Sequence, residues 1–83
     1  MFKLGKVVAT PNALGFMEEH QIDAMALLRR HVMQDTDCCK EDHIANKHAI
    51  ENGERVFSVF KEGIWIITEW DRSYTTILKP EDY

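Results

Sequence analysis

From Val56 onward the chain switches to a period of two. Val56, Ser58 and Phe60 alternate with Phe57 and Val59; after Lys61-Glu62-Gly63 the alternation resumes, with Ile64, Ile66, Thr68 and Trp70 set against Trp65, Ile67 and Glu69. Asp71-Arg72-Ser73 carries turn residues, and Tyr74 to Lys79 is a further β-rich run that Pro80 ends. Short turns join antiparallel neighbours, so the pattern predicts a three-stranded antiparallel meander. Its densest part, Ile64 to Leu78, is the scaffold that the rest of the chain has to cover.

Both alternating sets contain large apolar side chains. A sheet that is wet on one side shows a cleaner in-out alternation, so both faces of this one call for cover. Helices are expected on one face. The other is expected to lie under the N-terminal segment or under a partner, because large exposed apolar patches mark interfaces, and a homodimer is the simplest version.

The residues before Val56 read mainly as helices. Lys3 to Ala9, with Val7-Val8 as its β-branched pair, is a short strand or an extended arm. Thr10-Pro11 starts a first helix running to about His20, with Leu14, Phe16 or Met17 as its buried residues. Asp23 caps a second helix from Ala24 to about Gln34, in which Ala24, Leu27, Leu28 and Val32 follow helical spacing and Arg29 and Arg30 suit the C-terminal half. After the capping residues Asp35-Thr36-Asp37, Cys38 to Asn52 reads as a third helix with Ile44, Ala45, Ala49 and Ile50 inward and Gly53 as its left-handed stop. The expected fold is α+β: two to three N-terminal helices packed on the meander, with the N-terminal segment as a short additional strand.

A chain of 83 residues makes one domain, 1–83, with a modest core. Fourteen Asp plus Glu against ten Lys plus Arg give a net charge of -4, which repels phosphate backbones and acidic membrane surfaces and disfavours direct nucleic-acid binding. An acidic surface suits docking on basic protein grooves. No run of apolar residues is long enough for a signal sequence or a membrane span, so a cytoplasmic location is expected. Cys38-Cys39 are adjacent and read as two reduced thiols, since a disulfide framework needs separated pairs.

The chemistry-bearing residues give weak patterns. Cys38, Cys39, His43 and His48 are zinc-type ligands, but His48 lies off the helix face that Cys39 and His43 share, so no metal or cofactor is assigned. His31, between Leu28 and Val32, is a general-base candidate whose plainer role is a core histidine satisfied by one hydrogen bond. Glu69, Asp71, Arg72 and Ser73 cluster at the second turn with Arg55 and Arg30 as counter-charges; Asp71 is expected to bond backbone amides and Arg72 to pair with an acid. Trp65, Trp70, Tyr74, Phe57 and Phe60 resemble a base-stacking platform, but the basic surroundings such a platform needs are missing, which favours core or protein interface. The protein-binding candidates are Arg55, Trp65, Glu69, Trp70, Asp71, Arg72, Ser73 and Tyr74.

Leu27-Leu28, Arg30-His31, Glu41-Asp42, Asn46, Gly53, Arg55, Ser58, Trp65-Ile66-Ile67-Thr68-Glu69, Asp71-Arg72-Ser73, Thr75, Leu78, Pro80 and Tyr83 together resemble a group of small accessory proteins carried on bacterial plasmids and integrative conjugative elements. The resemblance spans most of the chain and is most specific from Trp65 to Ser73. Where such relatives have a Gly-Asp-Trp-Gly-like loop, this chain has Gln34-Asp35-Thr36-Asp37 followed by Cys38-Cys39. The resemblance implies a mobile-element context without a mechanism.

With size and charge, it leads to the expectation of a non-enzymatic accessory protein that binds a host or element-encoded protein. Inhibition of restriction or of a CRISPR complex is the concrete form. The alternative is a small ribonuclease-toxin-like enzyme, or another toxin-antitoxin component, using His31, Arg55, Glu69 and Arg72.

Overall fold

The structure is a computed structural model that describes residues 2–83. In chain order it contains β1 (Lys6–Ala9), α1 (Pro11–Glu19), α2 (Ala24–Met33), α3 (Lys40–Asn52), β2 (Val56–Phe60), β3 (Ile64–Thr68), β4 (Tyr74–Leu78) and a turn of 3-10 helix, Pro80–Asp82. The fold is α+β, with three helices and a four-stranded mixed sheet in the order β1-β4-β3-β2.

The meander forms with the faces its periodicity requires. Val56 opposes Thr68, Ser58 opposes Ile66 and Phe60 opposes Ile64, while Thr68 and Ile66 meet Thr75 and Ile77 across β4. It is not the whole sheet, however. The N-terminal segment joins as a fourth strand, parallel to β4, with Val7 beside Thr75 and Ala9 beside Ile77. It therefore extends the sheet instead of roofing it, because Lys6 and Thr10 donate their amides to the carbonyls of Ser73 and Ile77, each at 3.0 Å.

Gly5 makes that entry possible. Its φ of +65° is left-handed, and a Cβ there would run into the backbone carbonyls of Arg72 and Ser73. No β-branched pattern in the sequence announces this close approach of two backbones.

The helices start and stop as their caps dictate. The Thr10 hydroxyl accepts from the Ala13 amide at 3.1 Å, with Pro11 next in line, and Asp23 accepts from Met25 at 3.0 Å. Gln34 (φ 57°) and Gly53 (φ 66°) close α2 and α3 in the left-handed conformation. Ala13 and Met17 of α1 and Leu27 and Leu28 of α2 pack on Phe60, Ile64, Ile66 and Ile77, which form the inner face of the sheet.

Three apolar residues expected in the core are outside it. Leu14 is exposed because α1 meets the sheet through Ala13 and Met17, one turn apart, which turns Leu14 outward. Ile44 and Ala45 are exposed because α3 lies beside the edge strand β2 and not over the sheet, burying Asn46 and Ala49 instead. Asn46 spans the backbone of Phe57, accepting its N–H at 3.0 Å and donating to its carbonyl at 2.7 Å, and the Cys38 sulfur receives the amide of Val59 at 3.3 Å. One sheet edge is thus closed by side chains.

Candidate functional site: the helix-free face of the sheet

Two constellations stand out, one sealed and one open. The sealed one centres on His31, which is completely buried between α2 and the inner sheet face. Its ring nitrogens meet two hydroxyls: Nδ1 that of Ser58, and Nε2 that of Thr68 at 2.8 Å. Thr68 in turn meets Thr75 at 2.7 Å, and Thr75 donates to the Leu4 carbonyl at 2.7 Å.

The direction of every bond in this chain follows from its ends. The Leu4 carbonyl only accepts, so Thr75 uses its one proton there and accepts from Thr68. Thr68 therefore accepts from His31 Nε2–H. The bare Nδ1 takes the Ser58 proton, and Ser58 accepts from the Gln34 amide nitrogen at 3.3 Å. The ring is neutral, with both nitrogens satisfied where the sequence suggested one bond. Burial, with the nearby Arg72 charge as the lesser cause, lowers its pKa from 6.5 to about 4. With no exposure and no free lone pair, His31 has no substrate to act on.

The more open constellation is the opposite face of the sheet, where Ile67 and Leu78 are buried and Phe57, Val59, Trp65 and Thr76 are half-buried. Phe57 and Val59 of β2, Trp65 and Ile67 of β3, and Tyr74, Thr76 and Leu78 of β4 share it, as the register requires. Among the described residues no helix crosses it, and cover comes from the C-terminal segment through Tyr83. The Tyr83 ring meets Phe57 edge-on at 5.7 Å and Trp65 at 5.8 Å, while Phe57 and Trp65 stand 5.0 Å apart. Arg55 lies over Tyr83 at 5.7 Å, donates to its hydroxyl at 3.3 Å and pairs with Glu69 at 3.5 Å.

Beside this cluster runs a groove of about 420 Å³ between α3 and β2, lined by Asp42, Ala45, Asn46, Ala49, Glu54, Arg55 and Phe57. An aromatic floor next to the carboxylates of Asp42 and Glu54 suits a cationic side chain held partly out of water.

The residues marked in the sequence divide accordingly. Arg55, Trp65 and Glu69 come together on this face. Trp70 and Tyr74 are exposed at and just after the β3–β4 turn. Asp71 accepts from the Ser73 hydroxyl at 2.6 Å and its amide at 3.0 Å, bonds that hold its carboxyl below the usual carboxylate range, the hydroxyl contributing most.

Arg72 departs from expectation. It pairs with no acid; its guanidinium holds the carbonyls of Glu69 at 3.0 Å and Ala49 at 3.2 Å, and that of Glu54 as well. It is a clamp between the turn and the end of α3, and its own φ of 60° places it in the left-handed region that the turn needs. Arg30 serves Asp35, Asp37 and Glu62 at the far end of α2, away from Glu69.

Sequence reasoning names Tyr83 and Asp42 only within the resemblance and assigns neither to a site, since nothing in a one-dimensional pattern says that Tyr83 folds back on β2 and β3 or that Asp42 and Glu54 share a groove. Among the described residues, no three His, Cys, Asp or Glu side chains converge as metal ligands, and no helix is long and apolar enough to cross a membrane. Cys38 is half-buried and Cys39 exposed, both free. No protein-family model, curated protein or solved structure matches the chain.

Proposed function

We propose that this protein is a non-enzymatic accessory protein of a mobile genetic element that acts by binding another protein through the helix-free face around Trp65. The observation that carries the proposal is the half-exposed Phe57–Trp65–Tyr83 cluster with an acidic groove beside it. Aromatic anchors with a charged rim are the usual make-up of an interface centre. The groove, with Asp42 and Glu54, favours a partner that presents Lys or Arg, as nucleic-acid-handling proteins do, and the net charge of -4 steers in the same direction. A component of a host restriction or CRISPR system is the concrete form of that partner.

The alternative, a small ribonuclease-like enzyme built on His31, Arg55, Glu69 and Arg72, draws no support from the geometry. His31 is sealed on the inner side of the sheet, Glu69 and Arg55 lie on the outer side, and Arg72 is engaged with backbone carbonyls.

The test is a plasmid-interference assay in cells carrying one defined restriction or CRISPR system, with and without co-expression of the protein. Protection of the incoming plasmid is expected, and its loss in Trp65→Ala and in the surface charge reversal Glu54→Lys. Protection that survives both changes refutes the assignment to this face. Absence of protection across a panel of such systems refutes the defence role.

A further inference from the structure

The two edges of the sheet are treated differently. At β2 the chain closes its own edge with Asn46 and Cys38. At β1 it does not. Lys6 and Thr10 direct their amides at β4, so by the alternation of the ladder Val7 and Ala9 turn their N–H and C=O groups outward. Among the described residues these groups have no partner.

The side chains around this edge are unusually apolar for a free surface. Val7 and Val8 are exposed, at 43% and 37%, and beside them Leu4, Met25, Leu28, Val32 and Met33, with Arg29 as the one charged residue, line a groove of about 400 Å³ between the arm and α2. Met25 and Met33 are two-thirds exposed, at 66% and 65%. An edge strand of this kind is a template for another strand.

We propose that the strand that pairs here is β1 of a second copy, antiparallel about a two-fold axis at Val8, giving one continuous eight-stranded sheet. The outward groups fit this operation, because Val7 of one copy then exchanges both hydrogen bonds with Ala9 of the other, and the reverse. The charges fit it too. In the same register Lys6 stands opposite Thr10 of the second copy on the outer face, and the Thr10 hydroxyl is bonded to the Asp82 carboxylate at 2.7 Å. Each copy so brings a second cation, twice by symmetry, to the other's Glu81–Asp82 carboxylates, which within one chain have Asn12 and a single lysine, Lys79 at 4.0 Å from Glu81, beside them. On the inner side, the Met25 and Met33 side chains flank the seam.

This interface is separate from the Trp65 face, so the two readings fail independently. Light scattering and sedimentation from low to several hundred micromolar are expected to show a monomer–dimer equilibrium. Amide exchange at Val7 and Ala9 should slow as the dimer fills, while Lys6 and Val8 stay protected throughout. Val8→Lys, which sets two like charges opposite each other on the axis, should weaken the dimer at least about tenfold, and Lys6→Glu should weaken it and reverse its salt dependence. Both positions are exposed and leave the monomer's contacts in place, which circular dichroism checks; Trp65→Ala should leave the dimer intact.

A wild-type monomer at every concentration overturns the proposal, and leaves the edge to a strand from some other protein. A dimer that persists in Val8→Lys, or in which Val7 and Ala9 exchange freely, overturns it equally, because the contact then lies elsewhere.

Discussion

Acid should unfold this protein through one ring. His31 is neutral and fully buried, with its pKa lowered from 6.5 to about 4. Above pH 6.5 neither the folded nor the unfolded state carries the proton. As the pH falls below that value the unfolded chain takes it up while the folded one does not, so stability declines by about 1.4 kcal/mol per pH unit until the folded ring itself titrates near 4. The full loss is about 3 kcal/mol, a large part of the ~5–15 kcal/mol that holds small domains together.

Protonation has a structural cost that agrees with the direction. A charged ring must donate at both nitrogens, and Ser58, now accepting from His31 and Gln34, has to find a new acceptor for its own hydrogen inside the core. The carboxyls of Asp37, Asp71 and Asp82 are all held below 3.8 and lose their contribution at lower pH, outside this window. Urea unfolding followed by tryptophan fluorescence, between about pH 4.5 and 7.5, gives the slope. His31→Gln, which removes the titrating ring, should flatten it. Nitrogen NMR of the folded protein should find the Nε2–H tautomer. A stability that stays flat over this range, or a ring that titrates near 6.5 in the folded state, refutes the account.

Three further outcomes follow from single contacts. Gly5→Ala should cost about 2 kcal/mol or more in urea unfolding, because an L residue there is both left-handed and in collision with the backbone of Arg72 and Ser73. Asn46→Ala should cost about 1–3 kcal/mol by stripping the Phe57 N–H of its partner and leaving its carbonyl only the weak Cys38 thiol at 3.8 Å, and should raise aggregation through the reopened β2 edge. Arg72→Ala leaves the carbonyls of Ala49, Glu54 and Glu69 without their shared donor; about 1–3 kcal/mol of destabilisation is expected, with faster amide exchange in the last turn of α3, and Arg72→Lys should restore only part of it.

The meander was legible because its pattern is repeated: three apolar alternations separated by turn residues have only one short-range solution. The caps at Thr10, Asp23 and Gly53 were legible for the same reason, each being a local rule obeyed locally. What the sequence hid was non-local. Lys6–Ala9 is too short and too mixed to declare a strand, and it becomes one by docking along β4, some seventy residues away in the sequence. Arg72 suggests an ion pair because charge suggests charge, whereas its fork holds the turn carbonyl of Glu69 and the carbonyls of Ala49 and Glu54 at the end of α3. The place of Tyr83 in the aromatic face is likewise non-local, since its distance from Trp65 along the chain says nothing about their contact.

The polar chain through His31 explains how so small a core fixes a single register. It runs from the Leu4 carbonyl through Thr75, Thr68, His31 and Ser58 to Gln34, and so crosses from the N-terminal arm through β4, β3 and β2 to the end of α2. A one-residue slip of any strand would carry its hydroxyl to the opposite face and strand the others in an apolar interior. Thr75 is the link that holds the arm. Thr75→Val keeps the shape of the side chain, leaves Leu4 without its donor and Thr68 without its acceptor, and should cost about 1–3 kcal/mol. Because the loss falls where β1 joins β4, exchange of the Lys6 and Val8 amides should accelerate more than that of the β2 amides, which lie beyond His31. Equal acceleration in both strands would mean that the chain stabilises the core as a whole and does nothing particular to anchor the arm.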